Sequence, residues 1–380
     1  QTRPVRELLV VDDELMHDVE ELVRSRSDYL LLNILQDLLP ADIAHIMDRL
    51  DREDVGYVFG LLPDDVAREA LLELDAAHRE YLLQALPQDR INELLKGMDS
   101  DDAADIVGAL SEDRAAQALE TMKAEESSRV EELLRYDAST AGGIMAKEVA
   151  VVYEGDTIKK AIQVVRRMSR EHRNLYHVYV VNDQGVLTGI VALQDLLLHA
   201  PNTRVKKIMS TEVPRVTADI DQEEVAKIFR KYDAISLPVT DTAGRLLGRI
   251  TVDDIVDVLE EEHEEDVARM VGSDAEELER RTPAQVALLR LPWVLLTLLI
   301  ELFAGFVVHQ FDQTLSQVIL LASFMPVISA LSGNTGLQSA AVIVRGLATG
   351  HVQLTHWWDP IVRQLQTTLI IGSVCGIVIG

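Results

Sequence analysis

Along the first third of the chain, apolar residues recur at helical spacing, and the segments that carry them also recur. "LPAD" (Leu39 to Asp42), "LPDD" (Leu62 to Asp65), "LPQD" (Leu86 to Asp89) and "LSED" (Leu110 to Asp113) follow one another every 23 or 24 residues. Proline or serine followed by acids is a helix start, because proline is tolerated in the first turn and acids complement the positive helix end. Between these starts, residues such as Ile43, Ile46, Met47 and Leu50 form an apolar stripe. The pattern predicts an all-α region, residues 1–136, of two short helices per repeat stacked into a superhelix.

Residues 137–259 carry a different duplication. "GIMAKEVAVVYEGDTIKKAIQVV" is answered by "KIMSTEVPRVTADIDQEEVAKIF", and "HVYVVNDQGVLTGIVALQDLL" by "SLPVTDTAGRLLGRITVDDIV", with Met145 and Met209 equivalent. Each unit reads strand, helix, strand, turn at Asp-x-x-Gly, strand, helix. A connecting helix is expected over 260–283. Beyond it, residues 284–380 contain Ala287 to Phe311 and Leu315 to Val344, each apolar and long enough to cross a bilayer, and Ile361 to Gly380, which begins a third such segment and stops inside it. Arg290, Arg345 and Arg363 fall on one side if the segments alternate, which places the rest of the chain in the cytoplasm.

Charge sharpens this division. The net charge is −27, yet from residue 284 onward three acids balance three bases, so the whole excess lies before the membrane segments. A phosphate backbone would be repelled, which excludes a nucleic-acid surface, whereas cations would be attracted. The one cysteine, Cys375, excludes a disulfide framework or a thiolate metal site. No amino-terminal signal peptide is visible in the sequence, and no nucleophile–base pair, phosphate-binding glycine loop or His/Cys cluster stands out, so an enzyme is not expected.

Spacing singles out several acids. Asp101 and Asp105 lie one helical turn apart, as do Asp254 and Asp257, and Glu262, Glu265 and Asp266 continue along the connecting helix. Like charges at this spacing destabilise an isolated helix, but they suit a hard cation that retains part of its water shell. Asp221 and Glu224 also fit a capping box, a purely structural role. Within the second apolar segment, Ser332, Gly333, Asn334, Thr335, Gly336 and Gln338 interrupt the hydrocarbon pattern. Unpaired polar groups in lipid cost several kcal/mol, roughly, unless they face protein or water. Asn334, Thr335 and Gln338 therefore either line an ion path or pack helices together. Glu301, near the middle of the first crossing, is open to both a functional and a helix-packing role.

The duplicated unit resembles a tandem pair of CBS domains, a module that often binds adenine nucleotides. The signature T-x-x-D stands intact as Thr251 to Asp254, but the first unit has Ala192 to Asp195 instead. Asp195 is the residue carried over to a nucleotide site, while His177 and Ala234 replace the aromatics that the site can use. ATP is therefore expected to bind weakly or not at all. "SGNTGLQSA" followed by "IVRGLATG" resembles the second transmembrane helix of the MgtE family of magnesium channels, and the order of parts is similar throughout. The resemblance implies a multidomain fold: an all-α superhelical N-domain, an α/β tandem CBS pair and an α-helical transmembrane domain. It implies a homodimer in the cell inner membrane that conducts magnesium and closes when cytosolic magnesium is plentiful. Matching acids would be the regulatory ligands: Glu69, Asp101, Asp105, Asp221, Glu223, Asp233, Asp254, Asp257, Glu262, Glu265 and Asp266. The family has five transmembrane helices with its ion-selecting acid on the fifth, so truncation within the third is expected here. Cobalt or manganese would suit the same oxygen ligands. A membrane-anchored nucleotide sensor is the rival of a different class.

Overall fold

Proline and aspartate punctuate the N-terminal helices as the repeat predicts. The computed structural model describes residues 11–170, 172, 174–270, 283–317, 319–348 and 358–379. It divides into two units, Gln1–Leu259 and Glu260–Gly380. The first unit opens with α1 (Asp13–Arg24) and α2 (Asp28–Asp37). Four helix pairs follow: α3 (Pro40–Met47) with α4 (Arg52–Leu61), α5 (Asp64–Glu73) with α6 (Ala76–Ala85), α7 (Gln88–Leu95) with α8 (Ser100–Gly108), and α9 (Glu112–Thr121) with α10 (Ala124–Leu133). First helices stack on first helices, α3 on α5 on α7 on α9, and second helices stack as α4 on α6 and α8 on α10. This is the arrangement a repeat needs when one pair cannot bury its own apolar stripe. Asp51, Asp75 and Asp99 hold the N-cap positions of α4, α6 and α8, so the second helix of each pair is also started periodically.

The duplicated region forms two α/β units of identical order. The first has β1 (Val151–Tyr153), α11 (Ile158–Met168), β2 (His177–Val181), β3 (Leu187–Ala192) and α12 (Leu193–Leu198). The second has β4 (Val216–Thr217), α13 (Gln222–Tyr232), β5 (Ser236–Thr240), β6 (Leu246–Thr251) and α14 (Val252–Met270). In each sheet the first strand is parallel to the second, and the second is antiparallel to the third. The predicted Asp-x-x-Gly turn holds only in the second unit, where Asp241 Oδ1 accepts from the backbone N–H groups of Ala243 and Arg245. In the first unit Asn182 Oδ1 does the same for Gln184 and Val186. Both turns place a glycine at φ +78°, Gly185 and Gly244.

The two units exchange their leading segments. Ala146 pairs with Arg249 on β6 of the second unit, and Ser210 pairs with Ile190 on β3 of the first. Two glycines make room for the exchange. A Cβ on Gly248 would lie 2.6 Å from the Ala146 carbonyl oxygen, and one on Gly189 would lie 2.6 Å from that of Ser210. One hydrophobic core runs from the N-terminal helices into the second α/β unit through Ala141, Met145, Val225 and Ile250, while the first unit keeps a core of its own.

The second unit of the chain contains α15 (Pro283–Gln310), α16 (Asp312–Gln317), α17 (Ile319–Ala348) and α18 (Trp358–Ile379). Three of these, α15, α17 and α18, are long and apolar enough to cross a membrane. The polar interruption of the second apolar segment does not interrupt the helix, because α17 continues through Gly333 and Gly336. The expected connecting helix is continuous with α14 as far as Met270, and its remainder, 271–282, lies outside the described residues.

Candidate cation-sensing site

The N-terminal helices meet the α/β pair at a polar seam built on buried ions. Glu148 is 4% exposed and accepts from Ser100 N–H at 3.0 Å, Ser100 Oγ at 2.8 Å and Arg129 Nη1 at 3.0 Å. Ser100 Oγ in turn accepts from Lys147 N–H at 2.8 Å, and Lys147 Nζ pairs with Glu132. Arg249, 3% exposed, donates Nε–H to the Glu148 carbonyl at 2.8 Å and another N–H to the Asn174 carbonyl. Its guanidinium approaches Asp99, whose carboxylate also meets His172 Nδ1. These contacts hold the start of α8 against the start of α14.

That junction concentrates carboxylates. Burial, then Asp102, Asp254 and Asp99, push Asp101 well above the ordinary carboxylate range. Burial with Asp99, Asp254 and Asp105 beside it pushes Asp102 up to about 7. Asp254 rises to about 6 through burial, with Asp253 adding to it, against the hydrogen bonds it accepts from Thr251 N–H and Oγ–H at 2.8 and 2.9 Å. Desolvation also raises Asp105, while Arg79 pulls it down. A second group forms where α5 faces α14, since burial, Asp257 and then Glu69 raise Glu73. Asp101, Asp102 and Asp254 are half-buried, whereas Asp105, Glu69, Glu73 and Asp257 are exposed. Like charges brought this close are the condition under which a divalent cation stabilises an interface.

The tertiary structure thus brings together Asp101, Asp105 and Asp254 in one group, and Glu69 with Asp257 in another. Asp99, Asp102, Asp253 and Glu73 belong to the same groups and were not singled out by spacing. The doubled "DSDD" and "VDD" runs, and the α5 pair Glu69 and Glu73 one turn apart, carried the available signal. Asp221 and Asp233 cap opposite ends of α13, about 18 Å apart at 1.5 Å per residue. They cannot share one ion within a chain. Asp221 caps the helix by accepting from Glu223 N–H at 2.9 Å, and Glu223 pairs with Lys227. The reciprocal half of the expected capping box is replaced by a Glu224–Lys227 pair. Asp233 is the left-handed C-cap, at φ +48°. Glu262, Glu265 and Asp266 lie on the later turns of α14.

Asp195 stands in the first turn of α12, where Ala192 supplies no side-chain cap of the kind that Thr251 makes with Asp254. His177 is engaged by Ser236 Oγ at 2.9 Å, and burial lowers its proton affinity. In the apolar unit, Ser332, Thr335, Gly336 and Ser339 of α17 share a groove with Thr368, Gly372 and Cys375 of α18. Thr335 Oγ1 donates to the Leu331 carbonyl at 2.8 Å. Asn334 and Gln338 lie on a separate, exposed face of α17.

Comparison with known proteins matches residues 38–139 to the MgtE intracellular N domain, 141–202 and 205–261 to CBS domains, and 325–380 to a divalent cation transporter family also called MgtE. The magnesium transporter MgtE of Thermus thermophilus is 35% identical over 95% of this chain and 82% of its own length. That of Bacillus subtilis is 35% identical over 67% of this chain; this chain spans 56% of that relative's length. Among solved structures, the cytosolic domain of the Mg2+ channel MgtE in complex with ATP superposes with a TM-score of 0.60 at 34% identity. It covers 64% of this chain and 99% of its own. The soluble part of a magnesium transporter gives 0.57 at 27%, covering 66% and 98%.

Proposed function

The chain belongs to the MgtE family of magnesium transporters, and we propose that it is a magnesium channel subunit that cytosolic magnesium closes. The observation that carries this reading is the carboxylate group of Asp99, Asp101, Asp102 and Asp254, assembled where the N-terminal helices meet the second CBS unit. Without cations these acids repel one another. Bound magnesium removes the repulsion, draws the sensor domains together and shuts the pore.

The proposed regulatory ligands are Asp101, Asp105, Asp254, Asp257 and Glu69, with Glu73 and Asp102 added by position, and Glu262, Glu265 and Asp266 on the connecting segment. Asp221, Glu223 and Asp233 remain candidates beside their capping and pairing roles. Asn334 and Gln338 are the proposed pore oxygens, whereas the position of Thr335 supports helix packing. We assign 1–136, 137–259, 260–283 and 284–380 to N-domain, CBS pair, connecting helix and membrane domain. The subunit acts as a homodimer in the inner membrane with its sensor in the cytoplasm. ATP binds weakly if at all, since the first unit lacks the signature threonine and Ala234 has no stacking face. Tight binding in calorimetry without magnesium would refute that.

Weak sites suffice for gating. Moving a two-state equilibrium from mostly open to mostly closed takes about 5.5 kcal/mol, and a site at tenfold its dissociation constant contributes about 1.4, so about four are enough. The test is magnesium flux into liposomes carrying the full-length protein, wild type or the Asp254→Asn, Asp257→Asn double variant. Asparagine is chosen because Asp254 accepts from Thr251 and must keep that role. Closure should move to several-fold higher magnesium, and magnesium should protect the chain near Glu262 from protease less well. An unchanged midpoint with unchanged protection leaves these acids a solvated surface. Flux of cobalt or manganese in place of magnesium would change the cargo, and no flux of any cation would make the helices an anchor.

A further inference from the structure

One histidine departs from the periodicity of the N-terminal helices. The second helix of each pair starts at Asp51, Asp75, Asp99 or Lys123, and three residues later stand Asp54, His78, Asp102 and Glu126. An acid there complements the helix dipole, so helix formation does not call for an imidazole. His78 lies beside two carboxylates from different repeats: Asp75, the N-cap of α6, and Asp48, the C-cap of α3. Its Nδ1 is 2.8 Å from Asp75 Oδ2 and 3.4 Å from Asp48 Oδ1, and one donor atom from each residue lies within 4.8 Å of the others.

The backbone already orients these donors. His78 N–H donates to Asp75 Oδ1 at 2.7 Å, which leaves Oδ2 turned to the ring, and Asp75 N–H donates to Asp48 Oδ1 at 3.2 Å. No lysine or arginine pairs with either carboxylate among the described residues. All three side chains are half-buried. With metal–ligand bonds of about 2.0–2.2 Å, adjacent ligands around one ion lie about 3.0–3.5 Å apart. The two separations from His78 Nδ1, 2.8 and 3.4 Å, already stand near that spacing, and three protein donors leave further positions open to water.

We propose that Asp48, Asp75 and His78 form a binding site for a first-row divalent transition cation, of the zinc, cobalt or manganese class, that clasps the first repeat to the second. The imidazole nitrogen sets it apart from the carboxylate groups at the CBS seam, because magnesium takes oxygen ligands whereas nitrogen favours the transition series. The site is independent of the gating reading and stands or falls without it. Bound metal would hold α3 and α6 in one register and stabilise the superhelix by linkage.

The test is calorimetric titration of the full chain in detergent with zinc, in a large excess of magnesium that occupies the oxygen-only sites. Wild type should take up one equivalent that Asp48→Asn and His78→Asp each weaken at least about tenfold. His78→Asp places a third carboxylate beside Asp48 and Asp75, so its melting temperature in chelator should fall below wild type. Zinc should raise the melting temperature of wild type only. Coincident zinc isotherms for wild type and both variants would overturn the proposal and leave His78 an ion-pair partner of the two aspartates. Should His78→Asp fail to fold, the near-isosteric Asp48→Asn decides by the same comparison.

Discussion

Glu148 does more at the domain seam than its place in an unremarkable "AKEV" run suggests. It receives two donors from Ser100 and one from Arg129, and Ser100 is itself buried at the start of α8. Glu148→Ala strands those donors, and hydrogen bonds to a charged acceptor are worth about 1.5–3 kcal/mol each, not additively. The variant should therefore lose about 2–3 kcal/mol in urea unfolding of the first unit, while Glu148→Gln, which keeps an acceptor, should lose less. Equal stability of both variants and wild type would mean that water replaces the carboxylate without cost. Spacing gave no hint of this residue, because its partners are 48 and 19 positions away.

Among the elements, the glycines of β3 and β6 are where duplication becomes architecture. Gly248→Ala would drive a methyl group into the Ala146 backbone carbonyl, with the Met145 sulfur 3.0 Å away. Backbone cannot swing aside as a flexible side chain can, so the cost should be about 1–3 kcal/mol, typical of overpacking. Gly189→Ala meets Ser210 in the same way and should lose a similar amount. A thermal melt reads both, and wild-type melting in either would mean that the exchanged segments yield freely. Gly155 is the control, since a Cβ there meets nothing within 4 Å.

Across the whole sensor, the raised acids make stability depend on pH. Asp102 sits at about 7 and Asp254 at about 6, against 3.8 for an ordinary aspartate. An acid whose folded value lies above its unfolded value costs stability once it ionises. The cost shrinks as pH falls below the folded value and is gone only below the unfolded 3.8. In chelator, the chain should thus melt higher at pH 6 than at pH 8. His177, kept neutral by burial, opposes this below its ordinary 6.5. Asp75 and Asp156, both lowered, titrate below the window. Asp102→Asn isolates the effect and should flatten the profile, as should saturating magnesium in the wild type. A profile that neither change alters would place the repulsion elsewhere.

Features that depend on residues close along the chain could be read before folding. The helix repeat, the duplicated α/β unit and the three apolar spans were all legible, because periodicity and turn chemistry are local. The carboxylates of Asp101, Asp105, Asp254 and Asp257 were legible for the same reason, each pair being one helical turn long. Which acids meet depends on packing between elements far apart in the chain. Asp101 and Asp102 reach Asp254 because α8 is held to the CBS pair by Glu148 and Arg249, and Glu73 lies beside Asp257. Tertiary packing also set Thr335 in a helix groove apart from Asn334 and Gln338. The meeting of Asp48 with His78 likewise rests on packing between repeats. Spacing specifies which face of a helix a side chain occupies, but the neighbour of that face is chosen by burial of apolar surface over the whole core.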